Sequence, residues 1–262
     1  MNFKHSSAHR LSCSICAELG SNEDSLLAQL LAGDGIISAI AQRTNNFAVI
    51  PSIGALVPGH SLVVPLSHES NVVVSASAMG LTKELFETVD RHLVTLGQSF
   101  GKTFLIFEHG STSFGHSLCS TEHGHLHILP LDQNAIDAVF QKLRKVADLI
   151  PFCELEQRAI ASQDFIYVGG VDERWSYTPA FFMPAKGIPS QYMRRIVAEV
   201  IGIESWNWKT EPSQNFVKLT IASGFDVMRG CVQMDAQHAE QTGMTSQDLP
   251  TRSSAPKSRW PA

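Results

Sequence analysis

A chain of 262 residues, 44% hydrophobic and 17% charged, is long enough to bury a core of its own without disulfide staples. Its net charge of −5 argues against a protein that lives on nucleic-acid backbones, which needs a basic face to displace counterions, but leaves room for a local basic pocket holding a small phosphate. No apolar run approaches the roughly 20 residues that span a bilayer, and no apolar h-region follows Met1-Asn2-Phe3-Lys4-His5-Ser6-Ser7, so the sequence predicts a cytoplasmic protein with no membrane or nucleic-acid partner.

Residues 1–11 are polar and read as loose chain. Cys13-Ser14-Ile15-Cys16 follows, a spacing that lets two sulfurs reach one metal ion but needs two further ligands to close a tetrahedron. No strand precedes it to make a thioredoxin-like redox unit, and two unrelated thiols are the other reading. With Cys119, Cys153 and Cys231 the cysteines are irregularly spaced, which fits reduced thiols rather than a disulfide framework. Residues 25–32 suggest a short helix capped from residues 22–24. Residues 35–41 and 47–51 bracket Thr44-Asn45-Asn46 as a hairpin, and a loop through residues 52–58 leads to a strand over 61–65. The spacing of Leu81, Leu85, Val89, Leu93 and Leu96 predicts a helix over 79–96 with one stripe on the sheet. His92 then reads as a surface histidine. A strand over 103–107 and a glycine- and hydroxyl-rich loop lead to residues 120–130, and such a loop can bring backbone N–H groups close to phosphate oxygens.

In Ser120-Thr121-Glu122-His123-Gly124-His125-Leu126-His127-Ile128-Leu129-Pro130 histidines recur at every second position. Only a strand turns all three the same way, which would put His123, His125 and His127 on one face and Gly124, Leu126 and Ile128 on the face packed against helices. Three imidazoles side by side are poor core material, whereas near neutral pH they can bind metal, act as general bases or serve as nucleophiles. Surface histidines on an edge strand are the bland alternative. Gly110 and Gly115 before the segment and Pro130 at its end punctuate it as a loop delivering a strand to a site.

His123-Gly124-His125-Leu126-His127-Ile128-Leu129 resembles the signature of the histidine-triad (HIT) nucleotide hydrolases and transferases, in which histidines alternate with apolar residues and two apolar residues follow. Gly59-His60-Ser61-Leu62-Val63-Val64-Pro65-Leu66-Ser67-His68 resembles the glycine-histidine strand that precedes the triad in that family. Two blocks in this order, about sixty residues apart, are more specific than either alone, and the resemblance covers residues 13–131. It implies an α+β fold with a HIT-like antiparallel sheet and packed helices, a nucleotide or nucleotidylated small molecule as substrate, and a homodimer. It also implies His125 as nucleophile, His127 and His60 as groups that hold or relay protons, and Ser120 as a donor to phosphate or leaving group. The zinc-bearing members of the family imply a structural Zn2+ on Cys13, Cys16, His68 and His123. No organic cofactor is implied.

The chain departs from the family where an acidic residue holds the ribose hydroxyls: here Ser52 stands, followed by Ile53. Glu108 stands where an amide often contacts phosphate, and its carboxylate would repel an anion unless turned away or paired. Gly110 follows it in the phosphate loop.

After Pro130 the pattern predicts a helix over 134–150, strands over 165–168 and 180–183, a helix over 190–201 ended by Gly202, and a last strand over 216–221. Residues 132–235 read as an α+β C-terminal extension, and from 236 the Gln, Ser, Thr and Pro content predicts a disordered tail. Gln191-Tyr192-Met193-Arg194-Arg195 and Trp206-Asn207-Trp208 resemble an extension of longer bacterial members. Arg194 and Arg195 are candidate phosphate contacts, with solvated helix surface as the other reading. The expected activity is hydrolysis or nucleotidyl transfer on a nucleoside phosphate ester, anhydride or amidate through a nucleotidyl-histidine. A phosphorylase or nucleotide-sugar transferase of the same fold and a non-catalytic nucleotide-binding scaffold are the alternatives.

Overall fold

Strands from both sides of Leu131 share one sheet. The computed structural model describes residues 13–20, 25–112, 121–151 and 154–229, and the tail expected from residue 236 lies outside them. The elements in chain order are α1 (Ser14–Leu19), α2 (Leu26–Leu30), β1 (Ile36–Ile40), β2 (Gln42–Arg43), β3 (Phe47–Pro51), β4 (Ser61–Pro65), α3 (Val73–Ala78), α4 (Thr82–Phe100), β5 (Phe104–Ser111) and β6 (Leu126–Pro130). They continue with α5 (Gln133–Leu143), β7 (Asp148–Ile150), α6 (Leu155–Ser162), β8 (Asp164–Val171), β9 (Ala180–Pro184), α7 (Tyr192–Ile201), α8 (Gln214–Ala222) and β10 (Asp226–Arg229). Eight strands pair in the order β2-β3-β4-β6-β5-β8-β9-β7, every pair antiparallel, and β1 pairs with β10 in a separate ribbon. The fold is therefore α+β, an antiparallel sheet with packed helices.

Because side chains alternate along each strand, the sheet has two apolar faces, and both are covered. One face carries Phe47, Val49, Val63, Phe104, Ile106, Ile128, Phe165 and Phe182, packed with Leu85, Val89 and Leu93 of α4, Leu155 of α6 and Val217 of α8. On the other face Leu105, Phe107, Leu129, Ile166 and Phe181 pack with Ile136 and Val139 of α5 and Met193 and Val197 of α7. Further along that face Ala48, Ile50, Leu62 and Val64 pack with Ile15 and Leu19 of α1. Between α1 and the α5–α7 layer this second face is left with a gap.

Local chemistry sets the helix starts. Ser25 and Asp132 cap α2 and α5 through N–H bonds from Ala28 at 2.9 Å and Ala135 at 2.8 Å. At the start of α3, Glu108 accepts the N–H groups of Val72 and Val73, and Asn71 Oδ1 accepts that of Ser75 at 2.8 Å.

Five expectations need correcting. The hairpin expected between residues 35–41 and 47–51 does not pair those two strands: the chain bends at Ala41, β1 pairs with β10, and the short β2 pairs with β3 instead. The helix expected over 134–150 stops at Leu143, and Asp148–Ile150 is an edge strand pairing with β9. The residues that extended the apolar stripe, Val146 and Leu149, are 53% and 60% exposed, so the stripe had nothing to pack on. The strand expected over 216–221 is the helix α8, because burial falls on Val217, Thr220 and Ile221 at helical spacing and tertiary packing overrides the β-branched composition. His92 is not on the surface: it is 1% exposed, with Nε2 2.6 Å from Ser61 Oγ.

The triad strand is shorter than expected, starting only at Leu126. His123, Gly124 and His125 precede the ladder because Gly124 N–H bonds the carbonyl of Glu69 at 2.6 Å instead of a neighbouring strand. A Cβ on Gly124 would stand 2.5 Å from backbone atoms of Asn71, so only glycine passes there.

Candidate active site and metal cluster

The gap between α1 and α7 is a cleft open to solvent, with about 740 Å³ of space between its walls. Its floor is sheet: Ile50, Leu62, Phe107 and His127. One wall is Ser14, Ile15 and Glu18 of α1 with Leu26; the other is Gln191 to Arg194 at the start of α7, with Trp208. His125, Thr121 and His109 complete the rim, and Ser52 to Gly54 close the end above β3.

The hydrogen bonds assign the ring tautomers. His125 is half-buried, and its Nδ1–H donates to the carbonyl of His123 at 2.8 Å, so the lone pair resides on Nε2. Behind it, the N–H of Leu56 donates to His60 Nδ1 at 3.1 Å, so His60 Nε2 carries the proton and donates it to His127 Nδ1 at 2.9 Å. His127 therefore offers Nε2–H to the cleft it lines. Its ring stacks on Phe107 at 4.3 Å between centroids and meets His125 edge-on at 4.9 Å. One imidazole presents a lone pair and its neighbour a proton.

Burial first, then the neighbouring charges of Arg194 and His125, holds His60 well below the ordinary histidine range. His127 is depressed in the same way, by burial and then by His125, His60, Arg194 and His109. His109 is pushed down to about 4, mainly by burial. All three are neutral near pH 7. Glu18 goes the other way: burial pushes its carboxyl up to about 7 although it accepts the N–H of Leu27 at 3.0 Å.

His123 faces away from the cleft. Its Nδ1 lies 3.6 Å from Cys13 Sγ and 3.4 Å from Cys16 Sγ, and His68 Nδ1 lies 3.3 Å from Cys16 Sγ. One donor atom from each of Cys13, Cys16, His68 and His123 lies within 4.8 Å of the other three. Tetrahedral zinc with ordinary Zn–N and Zn–S bonds sets its ligand atoms about 3.3–3.8 Å apart, so the donor set fits such an ion. His123 Nε2 lies 2.9 Å from the Pro65 carbonyl, which fixes the ring with Nδ1 turned to the sulfurs. Cys13 also caps α1, its Sγ accepting the N–H of Cys16 at 3.5 Å.

The expectation that the alternation turns all three triad rings the same way is thus corrected: His123 turns to the cluster, and His125 and His127 to the cleft. His60 reaches the cleft only through His127, being fully buried. Ser52 and Ile53 line the cleft. Glu108 does not; it is fully buried and spends its carboxylate on the N–H groups of Val72 and Val73, which removes the anion repulsion its position threatened. Gly110 does not line it either, since it lies under Phe165 and Asn71, where a Cβ would come within 2.4 Å of the Phe165 ring.

Arg194, expected more readily on a solvated surface, is 5% exposed and lines the cleft. Its guanidinium donates to the carbonyls of Gly54 at 2.5 Å and Trp206 at 3.0 Å. Arg195 is exposed, its guanidinium 5.1 Å from the Trp206 ring centre, and does not line the cleft. Ser120 lies outside the described residues.

The sequence reading gave no role to Glu18, His109 or Trp208. A signal existed for two of them. Ser14, Ile15 and Glu18 share a helix face at i, i+1 and i+4, and Leu105, Phe107 and His109 share a strand face. Trp208 needs the tertiary path of the C-terminal segment.

No protein-family profile matches the chain, and no curated protein is similar to it. Among solved structures it is similar to a HIT-like protein involved in cell-cycle regulation from Bartonella henselae, solved with an unknown ligand. The identity is 18% over 43% of this chain and 83% of that one, with a TM-score of 0.31. At that identity and TM-score the likeness carries no activity to this chain. Among the described residues no helix is long and apolar enough to cross a membrane.

Proposed function

We propose that the cleft is the site of a HIT-type nucleotide hydrolase or nucleotidyltransferase that works through a nucleotidyl-His125 intermediate. The observation that carries this reading is the bond from His125 Nδ1–H to the His123 carbonyl, which holds the ring with the Nε2 lone pair as its reactive position. Nε2 attacks phosphorus, the P–N bond forms, and the P–O or P–N bond to the leaving group breaks, which makes two easier displacements of one hard one. In the second displacement, water or another acceptor attacks phosphorus and returns the lone pair to Nε2.

The neighbours suit these steps. His127 Nε2–H donates to a non-bridging oxygen or the departing group, and His60 keeps it in that tautomer. Arg194, fixed by two carbonyls, adds positive potential to a cleft meant for an anion. His109 and Thr121 stand on the rim where a leaving group exits. Cys13, Cys16, His68 and His123 would hold zinc as a closed four-ligand structural ion that activates nothing and ties α1 to the loops before β6 and after β4.

A transferase or phosphorylase reading draws support from α7 and Trp208, because a wall contributed by the C-terminal segment could seat an acceptor beside the nucleotide. Two copies would pair through the sheet edges β2 and β7 or through a helix layer, since β5 is bonded on both sides within the chain. The test is turnover of nucleoside phosphoramidates, dinucleoside polyphosphates and nucleotide sugars with water, phosphate or a sugar phosphate as acceptor. Wild type turns over at least one class and His125→Asn, folded, turns over none; equal rates in the two proteins would remove the enzyme reading.

A further inference from the structure

Glu18 is the acidic side chain that lines the cleft and that the chemistry above leaves unused. It is 5% exposed. One carboxylate oxygen accepts the N–H of Leu27, the Ser25 hydroxyl and the Leu26 N–H stand near the same carboxyl, and Oε2 is buried with no hydrogen bond of good geometry among the described residues. An orphaned buried carboxylate oxygen costs more than almost any other unmade bond, so a donor brought by a ligand is its natural complement. Ser52 lines the same cleft at 4% exposure. Its N–H is spent on the His60 carbonyl at 3.0 Å, and a serine hydroxyl can both donate and accept.

The ligand group that meets these two residues is not the phosphate, which a carboxylate repels. It needs donors, and against a hydroxyl that both gives and takes it is best matched by a pair of hydroxyls. Charge is also sorted along the cleft. Arg194, on the α7 wall, is close enough to His60 and His127 to add to burial in lowering the pKa of both, and Glu18 lines the opposite wall, in α1. The cation thus sits with the imidazoles, and the carboxylate stands apart on α1.

We propose that Glu18, together with Ser52, holds the vicinal 2′ and 3′ hydroxyls of the ribose of the bound nucleotide, taking over from α1 the work for which Ser52 has no carboxylate. The inference rests on the nucleotidyl-transfer reading and goes beyond it in naming the residue that selects ribose. It also gives the cluster a second consequence. Cys13 and Cys16 lie in the same helical turn as Ser14 and Ile15, so whatever fixes the sulfurs fixes the wall that carries Glu18.

The experiment measures binding of adenosine, guanosine, cytidine and uridine 5′-monophosphates and their 2′,3′-dideoxy forms to the full-length protein, wild type, Glu18→Gln and Glu18→Ala. For whichever base binds, wild type prefers the ribo form about tenfold or more, the range of a hydrogen bond to a charged group, and Glu18→Ala brings the two forms within about twofold. Glu18→Gln keeps the acceptor for Leu27 and the side-chain volume, and it loses most of the preference while remaining folded by circular dichroism. Equal binding of ribo and dideoxy forms by wild type, or a preference that survives both substitutions, overturns the role of Glu18 and leaves the His125 chemistry standing. If no monophosphate binds and no substrate class is turned over, the nucleotide reading itself falls and this inference with it.

Discussion

His60 Nε2–H donates to His127 Nδ1 across 2.9 Å, and the direction is set four residues upstream by the N–H of Leu56 on His60 Nδ1. A backbone amide of the loop before β4 thereby decides which nitrogen of His127 presents a proton to the cleft. His60→Ala removes the relay and leaves a buried ring nitrogen unpaired. It should lower kcat about tenfold to a hundredfold, as loss of an orienting partner does, and cost about 1–3 kcal/mol in stability. Steady-state kinetics with denaturant titration checks both, and unchanged kcat would mean that His127 holds its tautomer without His60.

Buried neutral histidines make the protein acid-sensitive. Burial holds His92 down to about 3 and His109 to about 4, against 6.5 for the free side chain. The unfolded chain takes up protons below about pH 6.5 that the folded one refuses. Stability present above that pH is therefore lost as pH falls toward 4. Glu108 acts in the opposite sense: its carboxyl, raised by burial to about 7 from 4.5, stabilises fully below 4.5 and loses that contribution as pH rises through 7. The urea midpoint should fall from pH 7.5 to pH 5, and Glu108→Gln, lacking the opposing group, should show a steeper fall than wild type. A midpoint flat in pH would contradict the buried, neutral state of these rings.

Gly124 is the point at which the triad segment crosses the chain before α3. A Cβ there meets backbone atoms of Asn71 at 2.5–2.7 Å, and backbone cannot rotate away as a side chain can. Gly124→Ala should cost at least about 1–3 kcal/mol by overpacking and displace both His123 and His125. Gly33→Ala, where a Cβ meets nothing within 4 Å, serves as the control. Thermal melting of the two variants checks this, and equal melting temperatures would mean that the crossing can relax.

Much of this was legible in the sequence where a local period met a single partner. The alternation of Leu126, His127 and Ile128 put His127 on the face opposite the α4 layer, and the stripe of α4 read correctly through Leu85, Val89 and Leu93. What failed depended on packing that no window of sequence contains. α8 has a β-branched, alternating composition yet buries Val217, Thr220 and Ile221, because Thr220 Oγ1 reaches the N–H of Gly59 at 2.8 Å and locks the helix to the turn before His60. Arg194 looked like surface because its partners are carbonyls 12 and 140 residues away. The alternation put all three histidines on one strand face, but the bond from Gly124 to Glu69 keeps His123 and His125 out of the ladder, and His123 turns to the cluster while His125 and His127 line the cleft.

The four-ligand cluster should make metal and stability rise and fall together. His68→Ala removes a ligand remote from the cleft, so zinc content measured on the purified protein should drop and the melting temperature with it, while chelation of wild type should reproduce the stability loss. A metal-free His68→Ala protein as stable as wild type would rule out a structural ion on these residues.

The covalent role of His125 is tested most directly by intact-protein mass spectrometry after rapid acid-free quenching of the protein with each substrate class. The account predicts an added nucleotidyl mass in wild type, localised by peptide mapping to His125, and its absence in His125→Asn. Turnover without any such adduct at His125, or an adduct of the same mass persisting in His125→Asn, would contradict it.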